Sequence, residues 1–281
     1  MIGAIIGDIV GSYHEFREEK DFEGPLFRPE STITDDSILS IATAEAILRT
    51  QHYSDLYQRY CRAYPTYGYG PSFMDWAHVH NNYITPNYSW GNGSAMRVAA
   101  IGWAFDTPQR VMLEAQQSAC ITHAHPSGIA GAQATALAIY MARTGVPKEE
   151  IYATILEWFE YEEYTDLKTL HEEYTFDVSC QGTLPVALAC VMQADSFEQV
   201  LRNGLYTGGD TDTLLAIAGS IAEPLYGIPQ SMRDEAVNML NKHSPALLGM
   251  LCEFERKYGA GKTLAEPRSL GGIFKGLLRR R

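Results

Sequence analysis

Two segments of this chain combine small residues with apolar character on most faces of a helix. They are residues 128–143 (GIAGAQATALAIYMAR) and 213–225 (TLLAIAGSIAEPL). Small side chains let helix axes approach closely, and a helix that is apolar nearly all round has to be buried. Such helices suit the middle of one large domain better than a small bundle. The pair therefore predicts an all-α fold with these two helices at its centre.

Helical patterns also dominate the rest of the sequence, and alternating strand patterns of five or more residues are hard to find. The further predicted helices cover 37–49, 93–105, 111–121, a segment that starts at Pro147, 182–192, 197–205 and 232–258. No repeat and no linker rich in Ser or Pro interrupts them. We expect one helical domain over 1–266 and a basic, mobile tail over 267–281, for which a membrane or partner anchor is the alternative.

Charge and cysteine usage restrict the partners and the compartment. The net charge of -12 argues against nucleic acid as the main partner. Five cysteines without C-x-x-C spacing indicate reduced thiols. The apolar run over residues 1–7 is too short for a signal peptide or a membrane span. We expect a cytoplasmic monomer without membrane or nucleic-acid partners.

Two acidic clusters each open an apolar helix: Thr34-Asp35-Asp36 and Asp210-Thr211-Asp212-Thr213. Carboxylates and hydroxyls are hard oxygen donors that hold Mg²⁺ or Mn²⁺. Helix capping is the alternative explanation for either cluster alone. A cap needs only one side-chain oxygen, however, and crowded carboxylates repel one another unless cations bind between them.

A glycine-rich turn, Ser89-Trp90-Gly91-Asn92-Gly93-Ser94, leads into a predicted helix. Backbone amides at such a turn can bind phosphate, and the tryptophan can stack on a purine. An ordinary turn with its tryptophan in the core remains the alternative.

Other motifs are weaker. Thr122-His123-Ala124-His125 offers an H-x-H pair, but further zinc ligands are missing nearby, so one histidine is expected to contact a ligand or the backbone. Gly259-Ala260-Gly261-Lys262-Thr263 lacks the first glycine of a phosphate loop, because position 256 is Arg256. The acidic segment 160–174 could favour a cationic leaving group such as arginine, or could be a solvated surface.

In order, these segments resemble the ADP-ribosylglycohydrolase family. The first matching motif is Gly3-Ala4-Ile5-Ile6-Gly7-Asp8 together with Gly11-Ser12-Tyr13-His14-Glu15. The other four are Thr34-Asp35-Asp36-Ser37, Gly91-Asn92-Gly93-Ser94-Ala95-Met96-Arg97, Thr122-His123 and Gly208-Gly209-Asp210-Thr211-Asp212-Thr213. The resemblance runs from residue 2 to about residue 228, with five motifs in family order.

The resemblance implies a compact orthogonal helical bundle with two divalent cations, Mg²⁺ or Mn²⁺, at its centre. It implies metal ligands at Thr34, Asp35, Asp36, Asp210, Asp212 and Thr213, with Glu15 able to approach the second ion. The residues it implies for substrate binding are Ser89, Trp90, Gly91, Asn92, Gly93, Ser94, His123, Gly208 and Gly209. Glu15 and Asp36 are the candidates for the catalytic acid and base.

The implied activity is hydrolysis of the glycosidic bond between ADP-ribose and a modified protein side chain or a small ADP-ribosyl compound. Two alternatives remain at this point. One is a non-catalytic ADP-ribose-binding protein on the same fold, against which the intact set of ligands argues. The other is an unrelated two-metal phosphohydrolase, which would release AMP.

Overall fold

The computed structural model describes residues 1–17, 19–79 and 86–259. Within these ranges the chain forms fourteen α-helices and a short 3-10 turn, with two isolated β-bridges and no strand. The fold class is therefore confirmed as all-α. The helices are α1 (Ile2–Ser12), α2 (Asp35–Arg49), α3 (Tyr53–Ala63), α4 (Pro71–Ala77), α5 (Ala99–Ala104), α6 (Pro108–Ala119), α7 (Pro126–Arg143), α8 (Lys148–Phe159), α9 (Leu167–Glu173), α10 (Cys180–Met192), α11 (Phe197–Thr207), α12 (Thr211–Tyr226), α13 (Gln230–His243) and α14 (Pro245–Tyr258).

The two segments rich in small residues are central, as predicted. Every residue of α12 from Thr211 to Glu223 is buried, and α12 contacts α1, α2, α7, α10 and α11. α7 packs in turn against α5, α6, α8, α10 and α12. None of the helices in the described part of the chain is both long enough and apolar enough to cross a bilayer.

Several helix predictions were wrong in their limits. Residues 93–105 do not form one helix: a 3-10 turn (Asn92–Ser94) comes first and α5 begins only at Ala99. Residues 232–258 divide into α13 and α14 at Ser244. Ser244 is extended because the following Pro245 disfavours helical backbone, and its side chain caps α14. α1 and α3 were not predicted as helices. The proposed boundary at residue 266 and the tail lie outside the described residues.

Close contact between α1 and α12 determines where the acidic residues meet. Gly3, Gly7 and Gly11 form one stripe along α1, and a Cβ atom added to any of them would overlap backbone atoms of α12. Residues four apart share one face of a helix, so the stripe lets the two backbones touch along their length. The contact brings Asp8 and the loop that follows α1 beside the start of α12.

Candidate active site

Asp8 joins α1 to the first acidic cluster. It is fully buried, and its carboxylate accepts hydrogen bonds from the Thr34 amide at 3.0 Å, the Thr34 hydroxyl at 2.8 Å and the Ser37 amide at 3.1 Å. It also accepts from the Ser37 hydroxyl. A carboxylate at a helix N-terminus satisfies free amides and suits the positive end of the dipole. Asp8 therefore positions the Thr34–Asp36 turn.

The second cluster has a different local geometry. Gly208 and Gly209 have φ angles of 75° and 89°, a conformation that favours glycine, and they turn the chain into α12. Asp210 is the N-cap residue of α12, yet its side chain makes no capping hydrogen bond. Its carboxylate instead accepts from Asn92 Nδ2 at 2.7 Å. Capping therefore accounts for Thr34, which accepts from the Asp36 amide at 3.2 Å, but not for Asp210.

The fold brings the two clusters and the loop after α1 to one place. The Thr213 hydroxyl donates to Asp36 Oδ2 at 3.3 Å, which links the start of α12 to the start of α2. One carboxylate oxygen from each of Glu15, Asp210 and Asp212 lies within 4.8 Å of the others. The carbonyl oxygen of Tyr67 accepts from the amide of Asp35 at 2.6 Å, so Tyr67 borders this centre.

Burial and mutual repulsion shift the acidity of this centre. Burial raises the pKa of Asp210 to about 6. Burial, and then the charge of Asp212, raises the pKa of Glu15 to about 8. The same causes, in the same order, raise the pKa values of Asp35 and Asp36 well above their usual range. Burial and then the charge of Asp210 act in the same way on Asp212.

The residues present fit divalent cations. Asp36 is buried and its Oδ1 atom has no hydrogen-bond partner among the described residues. A buried carboxylate oxygen without a partner is costly, and a cation would satisfy it. The available donors are carboxylate and hydroxyl oxygens, which suit Mg²⁺ or Mn²⁺ better than softer metals.

The glycine-rich turn is tied closely to this centre. Its Asn92 side chain donates to Asp210 and, at 3.0 Å, to the hydroxyl of Thr183. The Gly91 amide donates to Ser89 Oγ at 3.1 Å, and the Asn92 amide donates to the carbonyl oxygen of Val178 at 2.7 Å. These two amides already have acceptors within the protein. The amides of Gly91 and Asn92 are therefore not available to a phosphate.

The side chain of Ser94 holds the glycine-rich turn in place. It is fully buried, and its hydroxyl donates to the carbonyl oxygen of Gly128 at 2.7 Å, which anchors the turn to the start of α7. Gly208 and Gly209 are covered by the side chains of Lys20 and Tyr174. Binding of substrate by these three residues stays a prediction.

Trp90 lies at the surface, which excludes the alternative that placed it in the core. Its side chain is 57% exposed, and its ring centroid lies 6.1 Å from that of His125. Tyr88, Phe176 and Val178 are further exposed apolar side chains on the two segments joined by the bridge between Gly91 and Ser179. An exposed apolar band beside a polar centre is typical of a ligand-binding rim.

The two histidines of the H-x-H motif have separate partners. His125 Nδ1 accepts from the Ser127 amide at 3.1 Å and caps α7. His123 is buried, and its Nδ1 lies 2.8 Å from the hydroxyl of Thr122. Burial, and then the charge of Arg97, lowers the pKa of His123 well below its usual value. The motif thus divides into a capping residue and a buried neutral ring.

The acidic segment 160–174 is a solvated surface for the most part. Its six acidic side chains are exposed, and Asp166 caps α9 by accepting from the Lys168 amide at 2.9 Å. This agrees with the alternative stated for the segment.

Two residues of the site, Asp8 and Arg97, were given no specific role from the sequence, and Asn92 was assigned only to substrate binding. Asp8 interrupts an apolar run on α1, and a lone charge in such a run is a signal for a buried, partnered carboxylate. The role of Asn92 in holding Asp210 could not be anticipated. Arg97, which is fully buried, gave no signal beyond its place in the motif.

Comparison with known proteins shows the family and the fold. The family model described as ADP-ribosylglycohydrolase matches residues 1–253. The human and mouse proteins named ADP-ribosylhydrolase ARH3 are each 26% identical to this chain over 308 residues, which covers 82% of this chain and 85% and 83% of theirs. A solved ADP-ribosylglycohydrolase-related protein complex has a TM-score of 0.66 at 24% identity, covering 90% of this chain and 95% of that chain, and supports the fold.

Proposed function

This chain belongs to the ADP-ribosylglycohydrolase family and is a glycohydrolase, and we propose that it is metal-dependent and releases ADP-ribose from a modified protein side chain or a small ADP-ribosyl compound. The observation that carries the proposal is the meeting of Glu15, Asp210 and Asp212, whose carboxylate oxygens lie within 4.8 Å of one another. Carboxylates from two distant parts of the chain, the loop after α1 and the start of α12, have no purely structural reason to crowd together.

Two divalent cations, Mg²⁺ or Mn²⁺, are the proposed cofactors. Thr34, Asp35, Asp36 and Asp212 would hold one ion. Asp210, Asp212 and Thr213 would hold the other, with Glu15 able to approach it. When bound, the cations supply positive charge that holds substrate oxygens in a fixed orientation.

The rim of the site suits the adenosine diphosphate part of the substrate. Trp90 presents an exposed ring on which a purine can stack. The turn over Gly93 and Ser94 continues from it toward Asp210, which Asn92 joins to the turn. A ligand that stacks on Trp90 and extends along this turn would place its far ribose at the carboxylates.

The carboxylates then serve the bond-breaking step. Cleavage of a glycosidic bond passes through a ribose with cationic, oxocarbenium-like character, which nearby carboxylates stabilise. Glu15 suits proton transfer because it is only partly buried, and a carboxylate within reach of substrate and water can accept or donate a proton. Asp36 is 2% exposed and suits the role of a ligand better.

The test is to incubate the protein with arginine-linked and serine-linked ADP-ribosyl peptides, with Mg²⁺, with Mn²⁺ or with chelator, and to identify products by mass. We expect free ADP-ribose, formed only with metal. Asp212→Ala should abolish release, because that residue is assigned to both ions. Asp234→Asn on α13 removes an exposed carboxylate that takes no part in the site and is the matched control.

Each other outcome contradicts a specific part of the proposal. Release of AMP would establish a phosphohydrolase and refute the glycosidic assignment. ADP-ribose binding without release from any linkage would favour the non-catalytic binding protein. Near-normal activity of Asp212→Ala would remove its assignment as a bridging ligand.

A further inference from the structure

Arg97 is a fully buried cation next to the site, and its contacts lead to His123. Its Nη2 atom donates to the carbonyl oxygen of Ser118 at 2.8 Å and to the hydroxyl oxygen of Thr122 at 2.7 Å. Its guanidinium lies over the ring of Tyr57, with Cζ 4.3 Å from the ring centroid. Burial of a guanidinium is costly unless contacts of this kind compensate the lost hydration.

The hydroxyl of Thr122 connects Arg97 to His123. Its oxygen lies 2.8 Å from His123 Nδ1. Because arginine has donors only, the Thr122 oxygen accepts from Arg97, and the single hydroxyl proton can point to His123. His123 Nδ1 then accepts this hydrogen bond, and the proton of the neutral ring belongs on Nε2.

The Nε2 atom of His123 faces the glycine-rich turn. A Cβ atom added to Gly93 would lie 3.3 Å from Nε2, and one added to Gly91 would lie 3.5 Å away. Within the described residues Nε2 has no hydrogen-bond partner in the protein. An N–H group in this place would donate to an oxygen acceptor, such as a phosphate, hydroxyl or carbonyl oxygen, and would not bind a metal ion.

We infer that Arg97 and Thr122 are positioning residues that hold His123 as a neutral Nε2–H donor toward an oxygen atom of the bound substrate beside Gly91 and Gly93. The identity of the ligand as an ADP-ribosyl compound rests on the proposed function. The assignment of the ring proton to Nε2 rests only on the contacts among Arg97, Thr122 and His123.

The experiment uses protein labelled with ¹⁵N-histidine. Long-range ¹H–¹⁵N correlation spectra of the ligand-free protein report which ring nitrogen carries the proton, and His123→Gln identifies the signals of His123. We expect the Nε2–H pattern. Thr122→Val keeps the size of the side chain but cannot donate, so the tautomer preference should weaken and the Kd for ADP-ribose with Mg²⁺ should rise about tenfold. Thr122→Ser should restore both.

The two parts of the experiment separate two failures. An Nδ1–H pattern in the wild-type protein overturns the inference directly, whether or not the variants fold. A Thr122→Val protein with a shifted tautomer and an unchanged Kd overturns the ligand contact. If the wild-type protein does not bind ADP-ribose, the proposed function fails, while the ligand-free spectrum still decides how Arg97 and Thr122 orient His123.

Discussion

Replacement of Gly7 by alanine tests the close contact that assembles the site. A Cβ atom at this position would overlap the backbone of Leu215 on α12 and would lie 2.7 Å from the amide nitrogen of Ala216. Backbone atoms cannot rotate away as a flexible side chain can. The two helices would have to separate, and Asp8 would move with α1.

Two effects of opposite sign decide the size of the change. Alanine favours a helix over glycine by about 1 kcal/mol. Forcing a methyl group into a closely packed interface costs about 1–3 kcal/mol and occasionally more. Because the contact here is backbone to backbone, we place it at the upper end of that range. The expected net loss is about 2 kcal/mol, which lowers the Tm by about 4–8 °C in a protein of this size.

Gly249→Ala is the matched control. Gly249 lies on the exposed face of α14, and a Cβ atom added there would meet nothing within 4 Å. It keeps the helix-propensity gain without the packing cost, so its Tm should rise by about 2–4 °C. Urea and thermal unfolding followed by circular dichroism measure both variants, and urea m-values check that each unfolds in the same way.

Hydrolysis assays at a temperature where both variants are folded complete the test. Gly7→Ala should lose activity by about tenfold or more, because Asp8 and Glu15 would shift relative to Asp212. Gly249→Ala should keep it. If Gly7→Ala is as stable and as active as Gly249→Ala, the backbone contact between α1 and α12 is not what assembles the site.

Three further predictions concern the rim, the carboxylates and pH. Trp90→Ala should leave the Tm unchanged and raise the Kd for ADP-ribose about tenfold in calorimetry, with Trp90→Phe recovering most of the affinity; an equal Kd would exclude stacking. Asn92→Leu removes the hydrogen-bond donor to Asp210 and should lower kcat/KM at least about tenfold in steady-state kinetics. An unchanged kcat/KM would show that this hydrogen bond does not position the Asp210 carboxylate. In chelator the Tm should fall as pH rises from about 4 to 8. The pKa values are raised to about 6 for Asp8 and about 8 for Glu15, so the folded protein holds more protons than the unfolded chain in this range. Saturating Mg²⁺ should flatten the dependence of Tm on pH, and a flat dependence in chelator would contradict the raised pKa values.

The sequence predicted the architecture where a pattern depends on local chemistry. Segments 128–143 and 213–225 are central helices because a surface apolar on most faces has to be buried wherever it lies. Prediction failed where tertiary contacts override local pattern. The predicted helix over 93–105 is interrupted after the 3-10 turn (Asn92–Ser94), which is bound to the segment before α10 and to the start of α7. α1 was not predicted because a run of Ile, Ala and Gly does not distinguish helix from strand at that length.

The sequence by itself determined which oxygen-bearing side chains the clusters contain, their order along the chain and the family. These depend on residue identity and spacing, which folding does not alter. Only the tertiary structure decided which groups meet and which are exposed. Asp8 accepts from the Thr34 amide, Asn92 donates to Asp210, and Trp90 lies at the surface. The physical reason is that such contacts depend on how closely α1 and α12 pack and on how the glycine-rich turn is held, which are properties of whole helices and their neighbours.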